Sequence, residues 1–219
     1  MKTILSFKNN FEEDLPKAFQ SDDVRFPESF VSYFLKNFTK PGYICLDPFA
    51  GFGTTLLASE KSDRIPYGVE YDLDRFNYIK SKIQHKSNII HGDATLIDTF
   101  GFPEIDFVFT SPPYMTKDSS SYALSAYTTE GSYKQYLETL GQIFGKIGNF
   151  LKKDGYCIIE ASNIKTETVT TLAWDIAKEV GQILNFQGEI VIEWEAKKLK
   201  NGTHYGGGYD HSYCLIFKK

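Results

Sequence analysis

Two short turns carry the residues best suited to chemistry: Asp47-Pro48-Phe49-Ala50-Gly51-Phe52-Gly53-Thr54-Thr55 and Ser111-Pro112-Pro113-Tyr114. The first follows an apolar run, Ile44-Cys45-Leu46, and leads into Leu56-Leu57-Ala58. Strand, acid, Gly-x-Gly turn and helix start therefore come in that order. Glycines let the backbone approach a ligand closely, Thr54 is placed to cap the helix, and the amides of a helix start face the ligand. A nucleotide phosphate fits poorly. The third glycine of the dinucleotide fingerprint and the Gly-Lys-Ser/Thr of a P-loop are both missing, and Asp47 repels an anion. An acid at that strand end suits an ammonium group instead. The second turn closes the apolar run Ile105–Thr110 with two prolines, which cannot continue a central strand. In an open α/β sheet, ligands bind beyond the carboxyl ends of central strands, so this turn is expected beside the first.

Asp-Pro-Phe-x-Gly-x-Gly-Thr-Thr together with Ser-Pro-Pro-Tyr resembles the motifs of the amino-methylating DNA methyltransferases, which act on cytosine N4 or adenine N6. The resemblance in motifs runs over roughly residues 26–114. It implies S-adenosylmethionine as cofactor, with Asp47, Phe49, Ala50, Gly51, Gly53, Thr54 and Thr55 around its methionyl end. Glu70, at the end of the next strand, would accept both ribose hydroxyls, with Tyr71 packed on the adenine. Asp93, followed by Ala94, resembles the acceptor for the adenine amino group. Phe26 and Pro27, opening a helix before the first strand, resemble the family's methionine-side motif.

The same resemblance assigns the second turn its chemistry. An exocyclic amino nitrogen conjugates its lone pair into the ring and is a poor nucleophile. Acceptors for both of its hydrogens free the lone pair for attack on a methyl group. Ser111 Oγ and the Pro112 carbonyl can be those acceptors, Pro112 and Pro113 fix their direction, and Tyr114 can stack on a base that has left the helix. Catalysis is then positioning and electrostatics. Serine in the first position favours cytosine N4 in DNA, in a restriction-modification or defence setting. Adenine N6 in DNA, an RNA base and a non-catalytic cofactor-binding subunit stand as alternatives. The commonest Ser-Pro-Pro-Tyr enzymes place that motif before the glycine turn; here the order is reversed.

Two loops are available to read a nucleic acid. Residues 115–132 hold Lys117, Tyr122 and Tyr127; residues 196–212 interleave Lys198, Lys200 and Tyr205 with glycines. His204 and His211 lack the carboxylate or cysteine spacing that completes a metal site, and no metal is expected.

Positioning these groups requires a sheet. Strands are expected at Tyr43–Asp47, Tyr67–Glu70, Asn88–His91, Asp106–Thr110, Tyr156–Glu160, Glu189–Trp194 and Tyr213–Phe217. Helices are expected over 28–38, 54–60, 73–85, 133–152 and 167–183. This alternation predicts an α/β, Rossmann-like methyltransferase fold: one mostly parallel seven-stranded sheet, helices on both faces, and a C-terminal antiparallel strand pair. Residues 1–25 read as an N-terminal extension and 26–219 as a single domain.

At 219 residues, 42% hydrophobic and 24% charged, the composition is that of a globular domain. No apolar run approaches the roughly 20 residues that span a membrane, and a cytoplasmic address is expected. Cys45, Cys157 and Cys214 lie in apolar runs and read as buried thiols. A net charge of -4 means that a basic footprint for DNA, or alternatively RNA, is local, or that tight autonomous binding is absent. A monomer or a homodimer is expected.

Overall fold

The computed structural model describes residues 2–195 and 208–219. Ten strands are present among them: β1 (Ile4–Lys8), β2 (Ile44–Asp47), β3 (Ile65–Glu70), β4 (Ile89–His91), β5 (Ile105–Thr110), β6 (Leu151–Ala161), β7 (Ile164–Lys165), β8 (Val169–Thr170), β9 (Asn185–Glu195) and β10 (His211–Lys218). The α-helices are α1 (Glu28–Phe38), α2 (Thr54–Lys61), α3 (Leu73–Lys82), α4 (Tyr133–Phe150) and α5 (Leu172–Val180). Eight strands form one sheet in the order β1-β9-β10-β6-β5-β2-β3-β4, and β7 pairs with β8 in a separate hairpin. Only β10 runs against its neighbours in the large sheet.

Helix layers on both faces explain the near-continuous apolar character of the central strands. Along β5, Phe107 and Phe109 enter a cluster with Phe30, Val31, Phe34 and Leu35 of α1. Ile105 and Val108 enter the opposite cluster with Leu140, Ile143, Phe144 and Ile147 of α4. Each such fully buried side chain contributes about 1.5–3 kcal/mol. Phe107, Val108 and Phe109 alternate between the two clusters at the strand period of two, while Ile105, across a register shift from Phe107, joins the Val108 side.

Three expectations need correction. The sheet has eight strands, because residues 4–8 of the N-terminal segment pair in parallel with β9, Phe7 opposite Trp194. A five-residue edge strand with one solvated face leaves little signal in sequence. Helix α4 ends at Phe150, two residues early: Leu151 already pairs with Ile105, and Lys152 bonds to Asp106 at 2.7 Å. Helix α5 starts at Leu172, since Val169 and Thr170 are taken by the β7–β8 hairpin.

The remaining N-terminal segment straps α2 and α3. Phe19 packs on Phe52 and Tyr78, with ring centroids 5.3 and 5.7 Å away. Lys61 meets Glu12 and Glu28, and Lys82 meets Glu13. Phe52 belongs to the glycine turn, so this strap backs the turn directly.

Candidate active site

Strands β2, β3, β5 and β6 end side by side, and each delivers a polar residue to the same rim. Asp47 closes β2 and is only 2% exposed. Its Oδ1 accepts hydrogen bonds from the Phe49 amide (3.0 Å) and from the Thr110 hydroxyl at the end of β5 (2.6 Å). Burial pushes its pKa up to about 6, against the opposing pull of the Thr110 hydroxyl. One carboxylate thus joins the glycine turn to the residue immediately before Ser111.

The glycine turn is left-handed at Gly51 and Gly53, with φ of 56° and 81°. A Cβ on Gly53 would stand 3.0 Å from Ile79, so glycine is needed there twice over. The Ala50 amide bonds to the Val69 carbonyl (2.9 Å), and Gly51 donates to Glu70 Oε2 (2.6 Å). Glu70 Oε1 accepts from the Asp72 amide (2.8 Å). These bonds fix the plane of a carboxylate whose pKa burial raises to about 7. Helix α2 has Gly53, not Thr54, at its N-cap; Thr54 is the first helical residue, so its expected capping role is not found. Thr55 and Ala50 are buried, and Phe49 packs against the core beside them. Tyr71 is 46% exposed next to Glu70. Asp93 accepts from the Thr95 amide (2.8 Å), and Ala94 is buried behind it. Phe26 lies in the aromatic core against Phe30 and Phe109, and Pro27 precedes α1 as its N-cap.

Asp47 and Glu70 therefore close β2 and β3, and Asp93 follows the end of the adjacent β4. An all-carboxylate acceptor set suits a cation, hydroxyls and an amino group rather than a phosphate. It fits S-adenosylmethionine, which carries all three.

The Ser111–Tyr114 turn follows β5 directly and is held from three sides. Tyr136, fully buried on α4, donates to the Pro113 carbonyl (2.8 Å). The Tyr114 hydroxyl donates to Glu160 Oε2 (3.1 Å) at the end of β6 and accepts from the Ser162 amide (2.9 Å). The Tyr127 hydroxyl donates to the Tyr114 carbonyl (2.8 Å). Ala126 and Tyr127 are both left-handed, with φ of 51° and 63°, a conformation that non-glycine residues rarely adopt. Their strain aims an aromatic ring, 53% exposed, at the turn.

Two other expected substrate contacts, Lys117 and Tyr122, bond to neighbouring groups of the protein. Lys117 reaches Thr171 Oγ1 (3.1 Å) and Asp175 (3.6 Å). Tyr122 donates to Thr139 on α4 (2.7 Å). Lys198, Lys200, Tyr205 and His204 lie outside the described residues, as does most of the 196–212 loop. His211 contacts Asp210 and Tyr213, each at 3.0 Å. Among the described residues, no group of three His, Cys, Asp or Glu could hold a metal ion. No helix among them is long and apolar enough to cross a membrane. The three cysteines are buried and unpaired, and burial pushes the Cys45 thiol up to about 12.

Thr110, Tyr136, Glu160 and Ser162 went unrecognised in the sequence as parts of this site. Glu160 did leave a signal: it is a carboxylate inside the apolar run Cys157-Ile158-Ile159-Glu160-Ala161.

Residues 7–81, about a third of the chain, match the family model of the N6/N4 DNA methylases. The match covers the strap and the glycine turn but stops short of Ser111. Solved structures match over most of the chain at low identity. TrmN from Thermus thermophilus is 16% identical with a TM-score of 0.62, over 88% of this chain and 48% of that one. A methyltransferase from Pyrococcus furiosus is 18% identical with a TM-score of 0.58, over 88% of this chain and 82% of that one. A TehB-like S-adenosylmethionine-dependent methyltransferase from Corynebacterium glutamicum is 13% identical with a TM-score of 0.55, over 93% and 94% of the two chains. The fold is the Rossmann-like methyltransferase fold. The chain spans about half the length of the TrmN structure. No curated protein matches the sequence. The family match and the fold together support S-adenosylmethionine as the cofactor.

Proposed function

We propose that the chain transfers a methyl group from S-adenosylmethionine to the exocyclic amino nitrogen of a nucleobase, with cytosine N4 in DNA as the favoured target. The observation that carries this reading is the 2.6 Å bond from Thr110 to Asp47, which ties the cofactor turn to the Ser-Pro-Pro-Tyr turn. When bound, the cofactor supplies an electrophilic methyl group on a sulfonium centre.

Asp47, Glu70 and Asp93 bind and orient it. Ser111 Oγ and the Pro112 carbonyl take the hydrogens of the amino group, which frees the nitrogen lone pair. The bonds from Tyr136 and Tyr114 keep the turn from yielding as the base enters. Tyr114 offers a stacking face, and Tyr127 stands over its carbonyl. So complete a support for the turn argues against a non-catalytic subunit.

A row of aromatic residues supports a nucleic-acid substrate. Tyr209, His211 and Tyr213 follow one another at centroid spacings of 5.3 Å, and Trp174 packs on Tyr213 at 4.7 Å. Because β10 is antiparallel, its first residues lie at the end of the sheet where β6 delivers Glu160. Bases stack on such rings whatever their sequence.

The test is labelled-methyl transfer to duplex DNA, single-stranded DNA and RNA, followed by nucleoside mass spectrometry. N4-methylcytosine in DNA is the expected product. N6-methyladenine moves the target to adenine, and a methylated RNA base moves the polymer. Absence of any methylated nucleobase refutes the reading.

A further inference from the structure

Glu160 is a buried carboxylate that the cofactor and base contacts leave unused. It is 1% exposed at the end of β6, one residue beyond the pairing of Ile159 with Thr110. Oε2 takes the Tyr114 hydroxyl, while no donor stands in hydrogen-bonding geometry to Oε1; the Ser111 and Ser212 hydroxyls face the carboxylate without completing such a bond. The groups facing it come from two elements. The catalytic turn contributes the hydroxyls of Tyr114 and Ser111. Strand β10 contributes the Ser212 hydroxyl and the Cys214 thiol, directly opposite in register. Burial raises the Glu160 pKa, and the Ser212, Ser111 and Tyr114 hydroxyls pull it back. Burial and the charge of Glu160 push the Cys214 thiol far up, which leaves that thiol protonated. A buried carboxylate with one bare oxygen is costly to keep, and such exceptions call for an explanation.

We propose that Glu160 is the positioning residue behind the catalytic turn and the final acceptor of the proton that the amino nitrogen sheds, reached through the Ser111 hydroxyl. This rests on the amino-transfer reading above. A methylated amino nitrogen carries one proton too many and a positive charge. One N–H bond breaks and leaves its electron pair on nitrogen, as an O–H bond forms on Ser111 Oγ. The original Ser111 O–H bond breaks as its proton bonds to Glu160 Oε1. The base ends neutral, and Glu160 ends as a neutral acid, the form its buried setting favours. Tyr114, bonded to the other oxygen, holds the carboxylate in place throughout.

The test compares wild type, Glu160→Gln and Glu160→Asp in single-turnover methyl transfer from about pH 5 to about pH 9. Wild type should show an acid limb, because a protonated Glu160 cannot accept. Glu160→Gln should transfer at least about tenfold more slowly with no acid limb, while its S-adenosylmethionine affinity by calorimetry is unchanged. Glu160→Asp should restore the limb at a lower rate. In carbon-13 spectra of glutamate-labelled protein, one side-chain carboxyl missing from Glu160→Gln should titrate above the ordinary glutamate range. Wild-type rate and pH profile in Glu160→Gln overturn the proposal and leave amino transfer standing. A flat wild-type profile overturns it even where the glutamine variant fails to fold. Absence of any methylated base in wild type overturns both readings.

Discussion

The carboxylate of Asp47 accepts the hydroxyl of Thr110 at 2.6 Å, and both residues are buried. They stand 63 positions apart in the chain, at the ends of neighbouring strands. The bond makes the two turns one mechanical unit, so a change at either residue should be felt at both. Thr110→Val keeps the β-branched shape but strips a buried carboxylate of one of its two donors, the other being the Phe49 amide, at a cost of about 1–3 kcal/mol. Urea denaturation should show that loss. S-adenosylmethionine affinity should weaken with it, although Thr110 is not placed among the cofactor's contacts.

Glu70 gives the stability a pH dependence with a definite sign. Its folded pKa of about 7 lies above the ordinary glutamate value. Between the two values the folded chain keeps a proton that the unfolded chain has released, so this group's contribution is full at low pH and fades as pH rises through about 7. Glu70→Gln removes that slope. Measured by denaturation at about pH 5 and about pH 8, the variant should gain on wild type with rising pH by about 1–3 kcal/mol. A constant difference between the two would contradict the raised pKa.

At Gly53, alanine meets both a positive φ of 81° and the Ile79 side chain at 3.0 Å. Gly51 has a positive φ as well, but open space where a Cβ would go. Gly53→Ala should therefore destabilise more than Gly51→Ala, which loses only about 1–2 kcal/mol to the left-handed backbone. Paired thermal and denaturant unfolding checks the order.

Tyr114 has two separable parts. Tyr114→Phe keeps the ring and removes the bonds to Glu160 and the Ser162 amide; Tyr114→Ala removes the ring as well. If the ring stacks on the base, the alanine variant should lose at least about tenfold more turnover than the phenylalanine variant, since stacking is worth about 1–3 kcal/mol per base. Equal turnover in the two variants assigns Tyr114 to tethering alone.

Ala126 offers a substitution in the stabilising direction. Its φ of 51° is left-handed, so Ala126→Gly should relieve about 1 kcal/mol of strain. A rise in the unfolding midpoint with turnover retained is the expected result. A fall would show that the loop's ordering depends on the alanine.

Local chemistry made the two turns legible in the sequence. A Gly-x-Gly turn after an apolar strand, and two prolines ending another, are constraints that neighbouring residues impose regardless of the rest of the fold. The amphipathic stripe of α4 and the apolar runs of the central strands were readable for the same reason: their burial pattern is written at fixed periods. β1 was not readable, because five residues on a sheet edge alternate too briefly to stand out, and their partner β9 lies far along the chain.

Sequence spacing is silent on the contacts that unite the site. Thr110 with Asp47, Tyr136 with Pro113 and Tyr114 with Glu160 are separated by 63, 23 and 46 positions. Each depends on which strand ends and helix faces become neighbours in three dimensions. The sequence alone therefore determined which residues could do the chemistry. Only the tertiary structure decided which of them act together, because hydrogen bonds and burial are properties of the assembled rim and not of any one segment.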